Sequence, residues 1–263
     1  MPHRISVHVP FSRFKEFADR ARRARRDLEF YFSAEVLDRT TDSDLHEAAR
    51  LLDYSPRIIL HSPFMDLSPG AVDPKVREVT LERYRQMIKA ATLLNAGMIV
   101  FHSGYEKWKY SLNMKIWLDA SVKTWEVILK ETEESKIRIA LENIFEDNPE
   151  NLVQLMDAMN HPRLGLCFDT GHFNLFSTLS IEEWLDKIRD YIMHLHIHDN
   201  DRTGDNHAPP GNGTFPFKRF FAWLSQNLPS RNFPSMTLEA HSEKDALTGL
   251  KRLKEILPKK ENE

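Results

Sequence analysis

LGLCFDTGH, residues 164–172, carries a β-favouring apolar run into a carboxylate, with a glycine and a histidine just behind it. The same shape returns along the chain. RIILHSPF (57–64), GMIVFHSGY (97–105), IRIALEN (137–143), YIMHLHIHDND (191–201) and SMTLEA (235–240) each end a short apolar run in His, Asp or Glu. Runs of this length and composition read as buried strands. RISVHV (4–9) and LEFYFS (28–33) precede them. The strand candidates are therefore 4–9, 28–33, 57–61, 97–102, 137–142, 164–169, 191–198 and 235–239.

Helix-period segments fill the gaps: 12–26, 42–52, 75–95, 113–134, 149–159, 180–189, 217–227 and 243–257. Asp42 and Ser43 stand before 44–52 as cap signals, Asn148-Pro149 opens the fifth helix, and Ser180 precedes Glu183 by three as a capping box. Ala96-Gly97 stops the long 75–95 segment. Eight β/α units with no Gly/Ser-rich or Pro-rich linker predict one (β/α)8 TIM-barrel domain over residues 1–263. An open doubly wound sheet would carry a glycine-rich phosphate loop after its first strand. VHVPFSRF (7–14) has no glycine.

A barrel concentrates its chemistry at the C-terminal ends of its strands. Those ends hold His61, His102, Glu142, Asp169, His198 and Glu239, with His172 three residues past Asp169. Alternation agrees: His194, His196 and His198 share one face, opposite Met193, Leu195 and Ile197. Converging carboxylates repel one another unless a cation compensates them. Imidazole mixed with carboxylate suits Zn²⁺, Mn²⁺, Fe²⁺ or Co²⁺ rather than Ca²⁺. The alternative is a purely structural mouth in which Arg138 or a histidine neutralises Glu142 and Glu239.

Bulk properties set outer limits. The 263 residues carry a formal net charge of -3, which argues against a dedicated nucleic-acid binder while leaving room for a local basic groove. Cys167 is the one cysteine, so no intrachain disulfide forms, and the chain suits a reducing cytoplasm. No signal-like or membrane-spanning apolar stretch is present, and PKKENE (258–263) reads as a charged, frayed tail. RARRARR (20–26) reads as a solvated helix face behind an apolar stripe of Phe14, Phe17, Ala18, Ala21 and Ala24.

Together HSPF, FHSGY, LEN, FDTGH, the HDND…DNHAPPGNG segment and LEA resemble the xylose-isomerase-like TIM barrels. That superfamily joins sugar (phosphate) isomerases and epimerases with endonuclease IV, AP endonuclease family 2. The resemblance implies two site patterns. In the isomerases and epimerases one metal is held by the residues matching Glu142, Asp169, His198 and Glu239, and the two glutamates also shuttle a proton beside the sugar carbonyl. Endonuclease IV adds ligands matching His61, His102, His172, Asp205 and His207, for a three-metal cluster that cleaves phosphodiesters.

The resemblance thus implies a divalent cofactor, Zn²⁺ or Mn²⁺, at one to three per chain. It also implies a sugar or phosphorylated small-molecule substrate, with homo-oligomerisation an open option. Two departures stand out. Ketose 3-epimerases tend to carry arginine at the position of His207, and the endonuclease's DNA-penetrating loops are not identifiable in this shorter chain. The favoured expectation is an isomerase or epimerase; the alternative is a multi-metal phosphoesterase.

Individual residues carry further expectations. His61 and His102 read either as ligands or as groups around the ligands. His8, His194 and His196 read as hydrogen-bonded interior histidines, and Cys167 as an interior filler. Asp199 and Asp201 read as loop-orienting groups, and Pro209, Pro210, Gly211 and Gly213 as the turn that holds Asp205 and His207 over the mouth. Tyr105, Lys107 and Trp108 are placed for a lid.

Overall fold

The computed structural model describes residues 4–229 and 233–257. Its strands are β1 (Ile5–Pro10), β2 (Asp27–Tyr31), β3 (Ile58–His61), β4 (Met98–His102), β5 (Arg138–Glu142), β6 (Leu164–Asp169), β7 (Ile192–Ile197) and β8 (Ser235–Leu238). Its helices are α1 (Phe14–Arg23), α2 (Ala34–Arg39), α3 (Asp42–Leu51), α4 (Pro74–Leu93), α5 (Met114–Glu131), α6 (Glu150–Met159), α7 (Thr170–Phe176), α8 (Ile181–Ile188), α9 (Phe217–Asn227) and α10 (Glu243–Ile256). All strands run parallel in chain order, and β8 closes on β1 with Met236 beside Ile5. This is the (β/α)8 barrel the alternation predicts.

Two cores follow from strand alternation. Outward side chains such as Phe30, Phe101, Leu141 and Leu195 pack with helix residues Trp125, Trp184 and Phe220 between sheet and helices. Inward, Ile59, Met98, Val100, Ala140 and Cys167 form a small apolar plug. Other inward positions, including Glu29, His194, His196 and Thr237, are polar and fully buried.

The sequence reading missed two short helices. Six residues in α2 and seven in α7 are too few to show a helical period. Helix α7 starts where β6 stops because the Asp169 side chain accepts from His172 N at 2.6 Å, so one carboxylate both ends a strand and caps a helix. The cap of α3 is also corrected. Thr41, not Asp42 or Ser43, is the N-cap, in a reciprocal box with Asp44. Helix α1 follows a 3₁₀ turn, Phe11–Arg13, and ends before Arg25, whose φ of 46° breaks the helix. Phe14, Ala18 and Ala21 are buried as expected, whereas Ala24 is exposed beyond the helix end. The arginines face solvent, and Arg20 pairs with Glu243. The tail 258–263 lies outside the described residues. Among the described residues, no helix is long and apolar enough to cross a membrane.

Candidate metal centre

The strand registers bring the titratable ends to one mouth. Glu142 ends β5 beside His102 of β4, Asp169 ends β6, and His198 and Glu239 stand one residue past β7 and β8. His61, Glu142, Asp169, His198 and Glu239 are buried; His102, His172 and His207 are partly so; Asp205 is exposed. All nine sequence-named residues join through close contacts.

Glu142 is the hub. Its Oε2 lies 3.1 Å from His61 Nε2 and 3.4 Å from His102 Nε2, and its Oε1 lies 3.2 Å from both His172 Nδ1 and His196 Nδ1. His61 Nδ1 donates to the Ser62 carbonyl at 2.9 Å, so Nε2 donates to Glu142 when the ring is protonated and offers a lone pair to the mouth when it is neutral. Both Asp169 oxygens lie 3.0 Å from His198 Nε2. Asp205 Oδ2 lies 3.0 Å from His207 Nε2 and 3.4 Å from His172 Nε2. His207 Nδ1 reaches Glu239 Oε2 at 3.3 Å, and its ring is stacked between His198 and His241.

The loop after β7 folds back over this mouth, and the Asp199 side chain gathers its base, with Arg252 bonding the turn at Pro210 and Asn212. Asp199 Oδ2 accepts from Gly211 N at 2.8 Å and Gly213 N at 2.9 Å, while Oδ1 accepts from Asn200 N and Phe215 N. Asp199 and Ala208 exchange both backbone hydrogen bonds. Gly213 lies so close that a Cβ would stand 2.0 Å from the Asn200 carbonyl oxygen. Asp199 and the glycines therefore take the loop-shaping roles expected of them. At Gly171 a Cβ would meet the His198 ring at 2.0 Å, so the FDTGH glycine makes room for that imidazole.

The field at the mouth is strongly coupled. Burial alone would raise the Glu142 carboxyl, but the facing imidazoles, His196 first and then His102, hold it well below the usual carboxylate range. Glu239 is likewise held at about 2, against burial, by His196, His8 and His207. His172 is driven well above its ordinary value by Asp169, Asp205 and Glu142 despite its burial. Arg138 takes no part; it is exposed at the opposite end of β5 from Glu142. Burial pushes the Cys167 thiol well up, which fits a filler rather than a nucleophile.

This donor set fits a divalent cation. His61, His102 and Glu142 bring one ligand atom each within 4.8 Å of one another; so do Glu142, Asp169 and His196, and so do His198, Asp205 and His207. In addition, His172 Nδ1, His196 Nδ1 and His198 Nδ1 are buried without a hydrogen bond, as nitrogens kept for something other than the protein would be.

A cavity of about 1360 Å³ opens above these groups. His8, Tyr31, Phe64, Tyr105, Phe145 and Phe176 line it along with the polar ring. His8, read from the sequence as interior, is in fact part of this wall. Of the three lid candidates, only Tyr105 lines it. Lys107 pairs with Asp147, and Trp108 is 68% exposed. Glu29 and His196, neither of them expected at the site, join this cluster from beneath. The available signal for Glu29 was the polar parity Asp27, Glu29, Tyr31 within β2.

The profile of the xylose isomerase-like TIM barrel family matches residues 19–256. The chain belongs to that family. A D-tagatose 3-epimerase-like protein is 25% identical, with a TM-score of 0.82 over 96% of each chain. The TTHB071 protein from Thermus thermophilus, soaked with ZnCl2, is 27% identical, with a TM-score of 0.80 over 96% of this chain and 97% of that one. D-psicose 3-epimerase from Clostridium cellulolyticum H10, solved with D-tagatose, shares the fold at 16% identity and a TM-score of 0.78, over 97% of this chain and 100% of that one. The uncharacterized proteins MJ1311 and MJ1614 of Methanocaldococcus jannaschii are 31% and 30% identical over 62% and 64% of this chain. The matches span 58% and 65% of those two proteins' own lengths.

Proposed function

We propose that this chain is a divalent-metal-dependent isomerase or epimerase acting on a sugar or sugar phosphate. The observation that carries the reading is the pair of buried carboxylates Glu142 and Glu239, which line a cavity large enough for such a substrate, with Asp169 and His198 buried next to them. Glu142, Asp169, His198 and Glu239 would hold the cation, Zn²⁺ or Mn²⁺, which when bound polarises the substrate's carbonyl and hydroxyl oxygens. Kept ionised by the surrounding imidazoles, Glu142 and Glu239 can accept a proton from the carbon next to the carbonyl and return one to it. His172 and His207 face the same cavity and can hydrogen-bond substrate hydroxyls. The loop pinned by Asp199 brings Asp205 and His207 to one side of this cavity. The similar D-tagatose 3-epimerase-like structure supports this reading.

The test is solvent deuterium exchange. Metal-loaded protein is incubated in D2O with a panel of ketoses, aldoses and their phosphates, and the carbon beside the carbonyl is followed by NMR. Exchange that disappears in Glu142→Gln is expected. Absence of exchange across the panel in protein shown to hold metal overturns the reading.

A second reading, phosphoester hydrolysis on a multi-metal centre, is favoured by one observation. The groups His61–His102–Glu142 and His198–Asp205–His207 each share one residue with the four-residue set and extend it by two more donors. Two or three metals per chain, with phosphodiesterase activity crippled by His102→Ala, would support it. One metal per chain would refute it.

A further inference from the structure

Below the mouth lies a polar layer for which the proposed chemistry has no use. Glu29, in the middle of β2, is fully buried. Its Oε2 accepts from Thr237 Oγ1 at 2.5 Å and lies 3.0 Å from His194 Nε2, while its Oε1 lies 2.8 Å from His196 Nε2. The other nitrogen of His194 lies 2.7 Å from Ser235 Oγ, so that ring is saturated. His196 is not. Its Nδ1 is buried, makes no hydrogen bond, and faces upward. It lies 3.2 Å from Glu142 Oε1, 3.3 Å from Glu239 Oε1 and 3.8 Å from Asp169 Oδ2.

The partner on the far side decides what this nitrogen offers. A carboxylate can only accept, so Nε2 carries a proton toward Glu29, and in the neutral ring Nδ1 carries the lone pair. A lone pair facing carboxylate oxygens is repelled unless a proton or a metal cation lies between them, and Nδ1 makes no hydrogen bond to either carboxylate. Two ligands at about 2.1 Å from a common ion stand about 3.0 Å apart at a right angle and about 3.4 Å apart in a tetrahedron. The distances from Nδ1 to Glu142 and Glu239 fall between these values. A carboxylate bonded to the second ring nitrogen is also the usual companion of a metal-binding histidine.

We propose that His196 is a further ligand, through Nδ1, of the cation held by Glu142 and Glu239, and that Glu29 fixes the tautomer this requires. The inference rests on the metal-binding part of the proposed function and not on its reaction. It gives the centre a nitrogen donor from beneath, opposite the open cavity.

Co²⁺ is the probe, with affinity measured by chelator competition and coordination by visible absorption. His196→Asn and His196→Gln are expected to lower Co²⁺ affinity by about 100-fold and to change the spectrum. Glu29→Gln, of equal volume, is expected to lower affinity by about 10-fold. His194→Asn, in the same layer and bonded to Glu29 but not in contact with Glu142, Asp169 or Glu239, should change both readouts less than Glu29→Gln does. Unchanged affinity and spectrum in the His196 variants overturn the proposal and place a proton on Nδ1. If those variants do not fold, unchanged affinity in both Glu29→Gln and Glu29→Ala overturns it instead. Wild-type protein that binds Co²⁺ through His196 yet exchanges no sugar proton refutes the isomerase reading alone.

Discussion

The mouth of this barrel is built in two different ways. Glu142, Asp169, His198 and Glu239 stand at or just past strand ends, where ladder hydrogen bonds on both sides fix the backbone. Asp205 and His207 come from a loop, and their side chains remain 37% and 16% exposed. The strand-borne set is positioned by the fold itself. The loop-borne pair is positioned by Asp199, which holds no substrate-facing position of its own. Rigid placement and adjustable placement thus meet over one centre, and each should fail in its own manner.

The largest effect should come from the strand side. Glu142→Gln keeps the shape but removes the charge that four imidazoles face, and proton exchange should fall by about 10³-fold or more. Steady-state exchange rates with matched metal content check this. An effect under tenfold would mean that the strand-borne carboxylate is not the proton-transfer group.

Next comes the anchor of the loop. Asp199→Ala strands four backbone N–H groups, and a fall of about 3 kcal/mol in unfolding free energy is expected, read by urea titration. Metal affinity should suffer less than in Glu142→Gln. If it suffers more, the loop rather than the strands dominates the centre.

Gly171→Ala sharpens the contrast from within the strand-borne set. The added methyl would press on the His198 ring, with an expected cost of about 2 kcal/mol in thermal unfolding and weaker metal binding. Wild-type metal affinity in that variant would show that His198 can move without consequence. The smallest effect should be that of His207→Ala, a few-fold rise in KM at nearly constant kcat. A collapse of kcat would give the loop a chemical role.

The barrel was legible because its signals repeat. The eight candidate strands recur within about two residues, since apolar runs and their polar stops are both local features. That the strand-end residues would gather at one mouth was legible for a related reason: a barrel collects strand ends, so position in the chain predicts position in space, whereas Asp205 and His207 were named only through the family resemblance. Glu29 was not legible, because one acid inside LEFYFS looks like a stray charge until other strands place their partners around it. Parity put His196 inside but could not say that its ring tilts toward Glu142 rather than lying flat in the plug. The cap at Thr41 lost to two equally plausible neighbours, a difference set by backbone angles. Lys107 and Trp108 failed as lid residues because the turn after β4 gives Lys107 to Asp147 instead.

Asp199 has a consequence for how such a site can be retuned. Its carboxylate and the paired Ala208 fasten both ends of residues 200–207, so that stretch behaves as a cassette clipped into the barrel rim. Side chains within the cassette can be exchanged without redesigning the clip, whereas replacing the clip would release everything it presents. A library randomised at 201–207 around an untouched Asp199 is therefore the economical route to new substrate preferences on this scaffold.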